Sequence, residues 1–283
     1  MKKKLKQVGL ALMICIAFSN CANLQHVNEF STTASESIKS FEDLNYSFEQ
    51  SCVENCINNY IVEFAVDTEK CDCDLEKKAD SITLKIYNSV NGYFKGLAKL
   101  SDNELSTYKT EDLEKALTEG DFGPITIEEK HVKSYSKVAQ ILIRAFTDTY
   151  RKNKIKEYVK EANEPVKELI TFLDFNLSSN LSGKLNVKKD RIKGEYFDLV
   201  NNESLSSIEK RNLVSEYYSE LNEIINRQKK ITSYSKSLRK ISDGHQKLYE
   251  DVDKLTVEEI KKALFEYASE IKSIISEFKK IEE

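Results

Sequence analysis

Apolar residues recur along most of this chain at alternating steps of three and four, the period of one face of an α-helix. Ala79, Ile82, Ile86, Val90, Tyr93, Leu97 and Leu100 form such a stripe, and Asp74 stands before it as a good N-cap. Upstream, Ile38, Phe41, Leu44 and Phe48, then Ile57, Tyr60, Ile61 and Phe64, predict a helix from about Ser37 to Val66. Downstream, Tyr135, Val138, Leu142 and Ala145 lead towards Tyr158 and Ala162, and the pattern continues from Leu169 to Leu185. Pro165 interrupts this text, either kinking one long helix or starting a new one. Val214, Tyr217, Leu221, Ile224, Ile231 and Leu238 share a later seam, expected to end near Gly244. The last stripe, Val257, Ile260, Leu264, Tyr267, Ile271, Ile274, Phe278 and Ile281, keeps a heptad step throughout.

Helix starts are marked by three candidate capping boxes: Thr126 with Glu129, Ser206 with Glu209, and Thr256 with Glu259. Residues 101–124 break the pattern, with a short helix predicted over Thr110–Leu117 before Gly120-Asp121-Phe122-Gly123-Pro124. Eight glycines and two prolines in 283 residues leave little room for the turns of a β protein. The expected fold is all-α, an elongated antiparallel bundle of long helices. The heptad seam is expected to pack within it, and the protein to be a monomer.

The amino terminus follows another logic. Met1 to Lys6 is basic, and Val8 to Phe18 is an uncharged run of eleven residues. Spanning a bilayer takes about 20 apolar residues, whereas this length suits the hydrophobic region of a signal peptide. Phe18-Ser19-Asn20-Cys21 follows directly and resembles the lipobox of bacterial lipoproteins. That resemblance implies removal of residues 1–20 and a diacylglyceryl group on the thiol of Cys21, which holds the protein to a membrane. Residues 21–36, polar and rich in Ser and Thr, read as a lipidated tether, and residues 37–283 as the helical bundle domain. No acidic residue follows Cys21 within Ala22-Asn23-Leu24-Gln25. The implied location is the cell envelope, on the periplasmic face of the outer membrane if the source is Gram-negative. The whole pattern is similar to uncharacterised helical lipoproteins of Bacteroidetes-type bacteria, a resemblance that implies no activity.

Export changes what the other cysteines mean. Cys52, Cys56, Cys71 and Cys73 lie within 22 residues of a chain bound for an oxidising compartment, so disulfides are expected. Cys52 and Cys56 are one helical turn apart and face the same way. In an antiparallel hairpin the inner partners meet first, giving Cys56–Cys71 and Cys52–Cys73 as staples of the first helical hairpin. A four-cysteine zinc site is the competing reading. The spacing C-x3-C-x14-C-x-C departs from the usual paired arms, so no metal and no cofactor is expected.

Removing residues 1–20 takes four of the 43 basic side chains and none of the 47 acidic ones, leaving a net charge of about −8. A nucleic-acid partner, which calls for a basic face, is disfavoured. His26 falls in the tether, and His131 and His245 are expected on helix surfaces. No H-E-x-x-H, G-x-S-x-G or glycine-rich phosphate loop occurs. Ser207-Ile-Glu-Lys210 and Ser269-Glu-Ile-Lys272 match S-x-x-K as background in amphipathic helices. Three functions stay open. A non-catalytic, lipid-anchored scaffold or protein-binding body leads. A membrane-active protein resembling α-helical pore formers and a carboxylate-based cell-wall enzyme are the alternatives.

Overall fold

A computed structural model describes residues 24–65, 71–102, 123–147 and 151–282. Cys21, the signal region and the short helix expected over Thr110–Leu117 lie outside them. The described elements are α1 (Gln25–Lys39), a 3₁₀ turn (Glu42–Leu44), α2 (Phe48–Val62), α3 (Asp74–Asp102), α4 (Glu129–Thr147), α5 (Arg151–Phe175), a π-helical segment (Asn176–Leu181), α6 (Ser182–Val200), α7 (Ser207–Glu250), a 3₁₀ turn (Val252–Lys254) and α8 (Glu258–Lys279). Among the described residues there is no strand.

The long axis is a hairpin. Residues 151–200 are helical throughout and return, after a turn, as the 44 residues of α7. At 1.5 Å per residue α7 is about 66 Å long. The pairing is antiparallel: Asn163 bonds Gln246 at one end, Asp174 holds Ser235 and Arg239 in the middle, and Tyr196 meets Tyr217 near the turn. The Ser206–Glu209 capping box forms as expected and starts α7. Helices α1, α3 and α8 pack round the base of this hairpin, with α4 against α3 and α5. Phe30, Ile38, Tyr87, Phe94, Leu238, Leu264 and Ile271 fill the core there.

Several expectations are corrected. Most of the segment read as a tether is α1, and His26, Val27, Phe30, Ala34 and Ile38 on it are buried. Its Ser and Thr residues hid the stripe: Ser31, Thr33, Ser35 and Ser37 are buried too, small enough for α3, α7 and α8 to approach closely. The helix expected over Ser37–Val66 is two helices. The chain turns at Asn45, whose φ of 50° is left-handed, a conformation Asn tolerates better than most residues. Pro165 leaves α5 a single helix. Gly244 lies inside α7, where a Cβ would collide with the ring of Phe30 and come within 3.2 Å of Tyr267.

Two of the three capping boxes shift register. α4 begins at Glu129, and the Glu128 N–H donates to Nδ1 of His131 at 3.0 Å, so His131 takes the part expected of Glu129. α8 begins at Glu258 with Val257 in the N-cap place, leaving Thr256 outside the helix. The seam on α8 is buried at Ile260, Leu264, Ile271, Ile274 and Phe278, packed on α7 and α1 within the chain, while Val257 is exposed.

Both disulfides are those expected, Cys52–Cys73 and Cys56–Cys71. They join α2 to the segment leading into α3. These four sulfurs are therefore committed to covalent bonds, which overturns the zinc alternative. In the chain-entropy picture, loops of 15 to 21 residues each stabilise by about 3 kcal/mol.

Candidate functional site

Beyond the level of Lys230, the α6–α7 hairpin leaves the bundle and continues as an arm flanked by α2 alone. The arm is thin, with Leu185, Ile192 and Ile224 as its buried residues. α2 buries only Phe48 and is held mainly by polar bonds. Ser47 caps it, accepting from the Gln50 N–H at 3.2 Å. Asp80 on α3 accepts from the N–H groups of Phe48 and Glu49, each at 2.9 Å, which suits a carboxylate at a helix N-terminus. Along α6, Lys188 meets Glu54 at 3.0 Å, Arg191 bonds Asn55, and Asn58 bonds Glu195 at 2.8 Å. α2 and α6 therefore run in the same direction towards the turn at 201–206.

Glu54 is the centre of this attachment. It takes Lys188 on one oxygen and Arg227 on the other at 2.9 Å, and the Arg227 guanidinium lies 4.7 Å above the Tyr46 ring. Burial alone would raise the Glu54 carboxyl. Hydrogen bonds from Arg227 and Lys188, with the charges behind them, overcome it and hold the group below its ordinary value. Burial likewise works against the Lys188 ammonium, but Glu54 and Glu220 raise it.

The far end of the arm is apolar where a solvent-facing surface is usually polar. Nine of the 17 large apolar side chains exposed among the described residues sit on α2 and the turn that follows it, the end of α6 and the start of α7. Ile208 is 74% exposed, Phe197 68% and Phe64 91%. Phe64 follows α2 with φ 52°, in a cap closed by the Ala65 N–H on the Tyr60 carbonyl. Glycine usually fills that left-handed place, and a side chain there costs about 1 kcal/mol. Charge adds a second mark, with seven carboxylates against two cations over residues 195–223.

A cleft of about 570 Å³ opens lower on the arm, between α2 and the π-helical segment with α6. The π segment has a local cause. Asn176 donates to the Phe172 carbonyl, Ser178 to that of Asp174, and Asn180 to the Asn176 side chain. Side chains that bond carbonyls four residues back compete with the helical ladder and widen it. The run Asn176-Leu-Ser-Ser-Asn180 was the sequence signal for this feature, and periodicity passed over it.

The residues singled out from the sequence separate in space. The four cysteines come together at the base of the arm. Cys21 lies outside the described residues. All three histidines are buried, correcting the surface placement. His26 packs on Phe265 at the end of the bundle away from the arm. His131 reaches Glu168 at 3.2 Å, and His245 meets the Tyr93 hydroxyl at 2.7 Å. Burial lowers all three, and for His131 it outweighs the opposing pull of Glu168. They do not converge on one another, and among the described residues no group of three or more His, Cys, Asp and Glu is arranged to hold a metal. Among the same residues no helix is long and apolar enough to cross a membrane. No known protein family, curated protein or solved structure matches the chain.

Proposed function

We propose that this is a lipid-anchored, non-catalytic protein of a bacterial cell envelope whose arm holds a docking surface for another protein away from the membrane. The observation that carries the reading is polarity of the molecule in the geometric sense. Leu24 lies at one end of the bundle, beside the start of α8, and the exposed Phe64, Phe197 and Ile208 lie at the other. From Gly244, which faces Phe30 of α1, to Ser207 the helix climbs about 55 Å. Leu24 is three residue steps from Cys21, about 11 Å at full extension. A diacylglyceryl group on Cys21 therefore sets the α1 end against the bilayer with almost no tether, and the arm points outward.

The partner suited to this surface is a protein whose contact face is apolar at its centre and basic at its rim. Apolar side chains drive association, and the carboxylates of residues 195–223 steer and select. A photo-crosslinking residue at position 208, in cells making the lipidated protein, tests this directly. A discrete adduct at 208, lost on Phe197→Glu and absent when the crosslinker replaces Phe265, supports the docking arm. No adduct at 208, or equal adducts at both positions, overturns it.

A further inference from the structure

The two sides of the arm differ. α2 lies along one of them: Lys188, Arg191 and Glu195 of α6 bond Glu54, Asn55 and Asn58, and Arg227 of α7 reaches Glu54. Glu220 and Glu223 are drawn to this side as well, by Lys188 at 3.3 Å and by Arg227. The opposite side is open, and helical geometry picks out its residues.

The stripe of α7 that faces α6 runs through Tyr217, Ile224 and Ile231, where Tyr217 meets the Tyr196 ring and both isoleucines are buried. A second stripe, Val214, Tyr218, Leu221 and Ile225, recurs at steps of four, three and four. It stands about a quarter-turn from the first, away from Glu220 and Arg227. Val214 is 40% exposed and Tyr218 57%, while Leu221 and Ile225 are half-buried. On α6 the matching stripe is Asn186, Lys189, Lys193 and Val200. Gln228 donates to Asn186 at 2.7 Å and marks the lower end of the groove between the two helices. Over 214–225 this groove is about 17 Å long, three turns of helix.

Charge marks the groove as a binding surface of its own. Lys189 and Lys193 on α6 and Arg211 and Lys229 on α7 frame the apolar stripe. All four are exposed, and none forms an ion pair among the described residues. Between 186 and 194, Asp190 is the single carboxylate. The carboxylates that make the arm acidic along its length, Glu195, Glu220 and Glu223, are turned to the α2 side and paired there.

We propose that this groove takes an amphipathic α-helix of another protein, apolar along the strip it buries and acidic along both edges. An apolar channel between two antiparallel helices is the place a third helix fills, with its side chains set into the channel at steps of three and four. Apolar contact supplies the attraction, and the four cations select the sign of the partner. The groove is distinct from the tip at Phe64 and Ile208 and does not depend on the lipid anchor.

The test uses two synthetic peptides of three heptads, both with Leu at a and d, one with Glu and the other with Lys at e and g. Each is titrated by fluorescence anisotropy into the purified protein with its disulfides intact. The acidic peptide is expected to bind and the basic one not, with affinity falling as salt rises. Val214→Glu and Tyr218→Glu should each weaken the acidic peptide at least about tenfold. Both positions are exposed, so the variants keep the wild-type circular dichroism and melting temperature. Lys193→Glu with Arg211→Glu should shift the preference towards the basic peptide. Absence of binding by the acidic peptide, equal or tighter binding by the basic one, or unchanged affinity in Tyr218→Glu would overturn the proposal. So would self-association in sedimentation velocity that Tyr218→Glu abolishes, since the occupant would then be a second copy of this chain. The crosslink at position 208 is a separate readout, so failure here leaves the docking tip standing.

Discussion

The Tyr93 hydroxyl and Nε2 of His245 lie 2.7 Å apart in a fully buried hydrogen bond that ties α3 to α7. Burial lowers His245 to about 3 and raises the Tyr93 hydroxyl, so both are neutral in the folded protein. The folded pKa lies below the unfolded value of 6.5, and between the two the unfolded chain holds one more proton. Stability is therefore complete above about pH 6.5 and falls on acidification, by about 1.4 kcal/mol per pH unit for this group. His245→Gln, which keeps a partner for Tyr93, should remove that part of the slope in urea unfolding between about pH 6.5 and about pH 4.5. His26 and His131, also lowered by burial, leave a remainder. An unchanged slope would contradict the assignment.

Glu54 fastens α2 to the arm. Its lowered pKa means that the stabilisation is present above the ordinary carboxylate range and is lost as pH falls through the folded value. Glu54→Gln leaves Lys188 and Arg227 without their shared carboxylate, a cost of about 2 kcal/mol once partial exposure is allowed for. Amide hydrogen exchange over 48–62 should accelerate while the core of α3 stays protected. Uniform protection across both helices would show that the staples alone hold α2.

Gly244 lets α7 approach α1 until the backbone meets Phe30. Gly244→Ala normally favours a helix, by about 1 kcal/mol. Here it should destabilise, by about 1–3 kcal/mol from overpacking against a ring that has no free space. A rise in melting temperature would show that Phe30 moves aside at little cost.

The all-α bundle and both disulfide pairings were legible in the sequence, because each depends on spacing: apolar steps of three and four, and cysteines one turn apart on a hairpin. What spacing could not carry was burial by small polar residues. Ser31, Thr33, Ser35 and Ser37 lie inside the bundle beside Val27, Phe30 and Ile38, so a core helix read as a tether. The histidines misled for the same reason, since a polar ring counted as surface until a neighbour such as Tyr93 or Glu168 was seen to satisfy it. The cleft was hidden because its lining residues, such as Ser51 and Asn180, are far apart in the chain and come to one space only once several helices have packed.

The proposed anchor assigns the lipid to one residue, Cys21. Cys21→Ser should transfer the protein from the membrane to the soluble fraction and abolish incorporation of labelled fatty acid. A membrane-bound mutant would place the attachment elsewhere.

Orientation on the membrane tests the central claim most directly. Purified lipidated protein is placed in liposomes with a fluorophore at position 208 or at position 265, and quenchers are carried on the lipid headgroups. The label at 265, near the α1 end, should be quenched, while the label at 208, beyond about 55 Å of α7, should emit as it does without quencher. Equal quenching at both positions, or stronger quenching at 208, would contradict an arm held away from the bilayer.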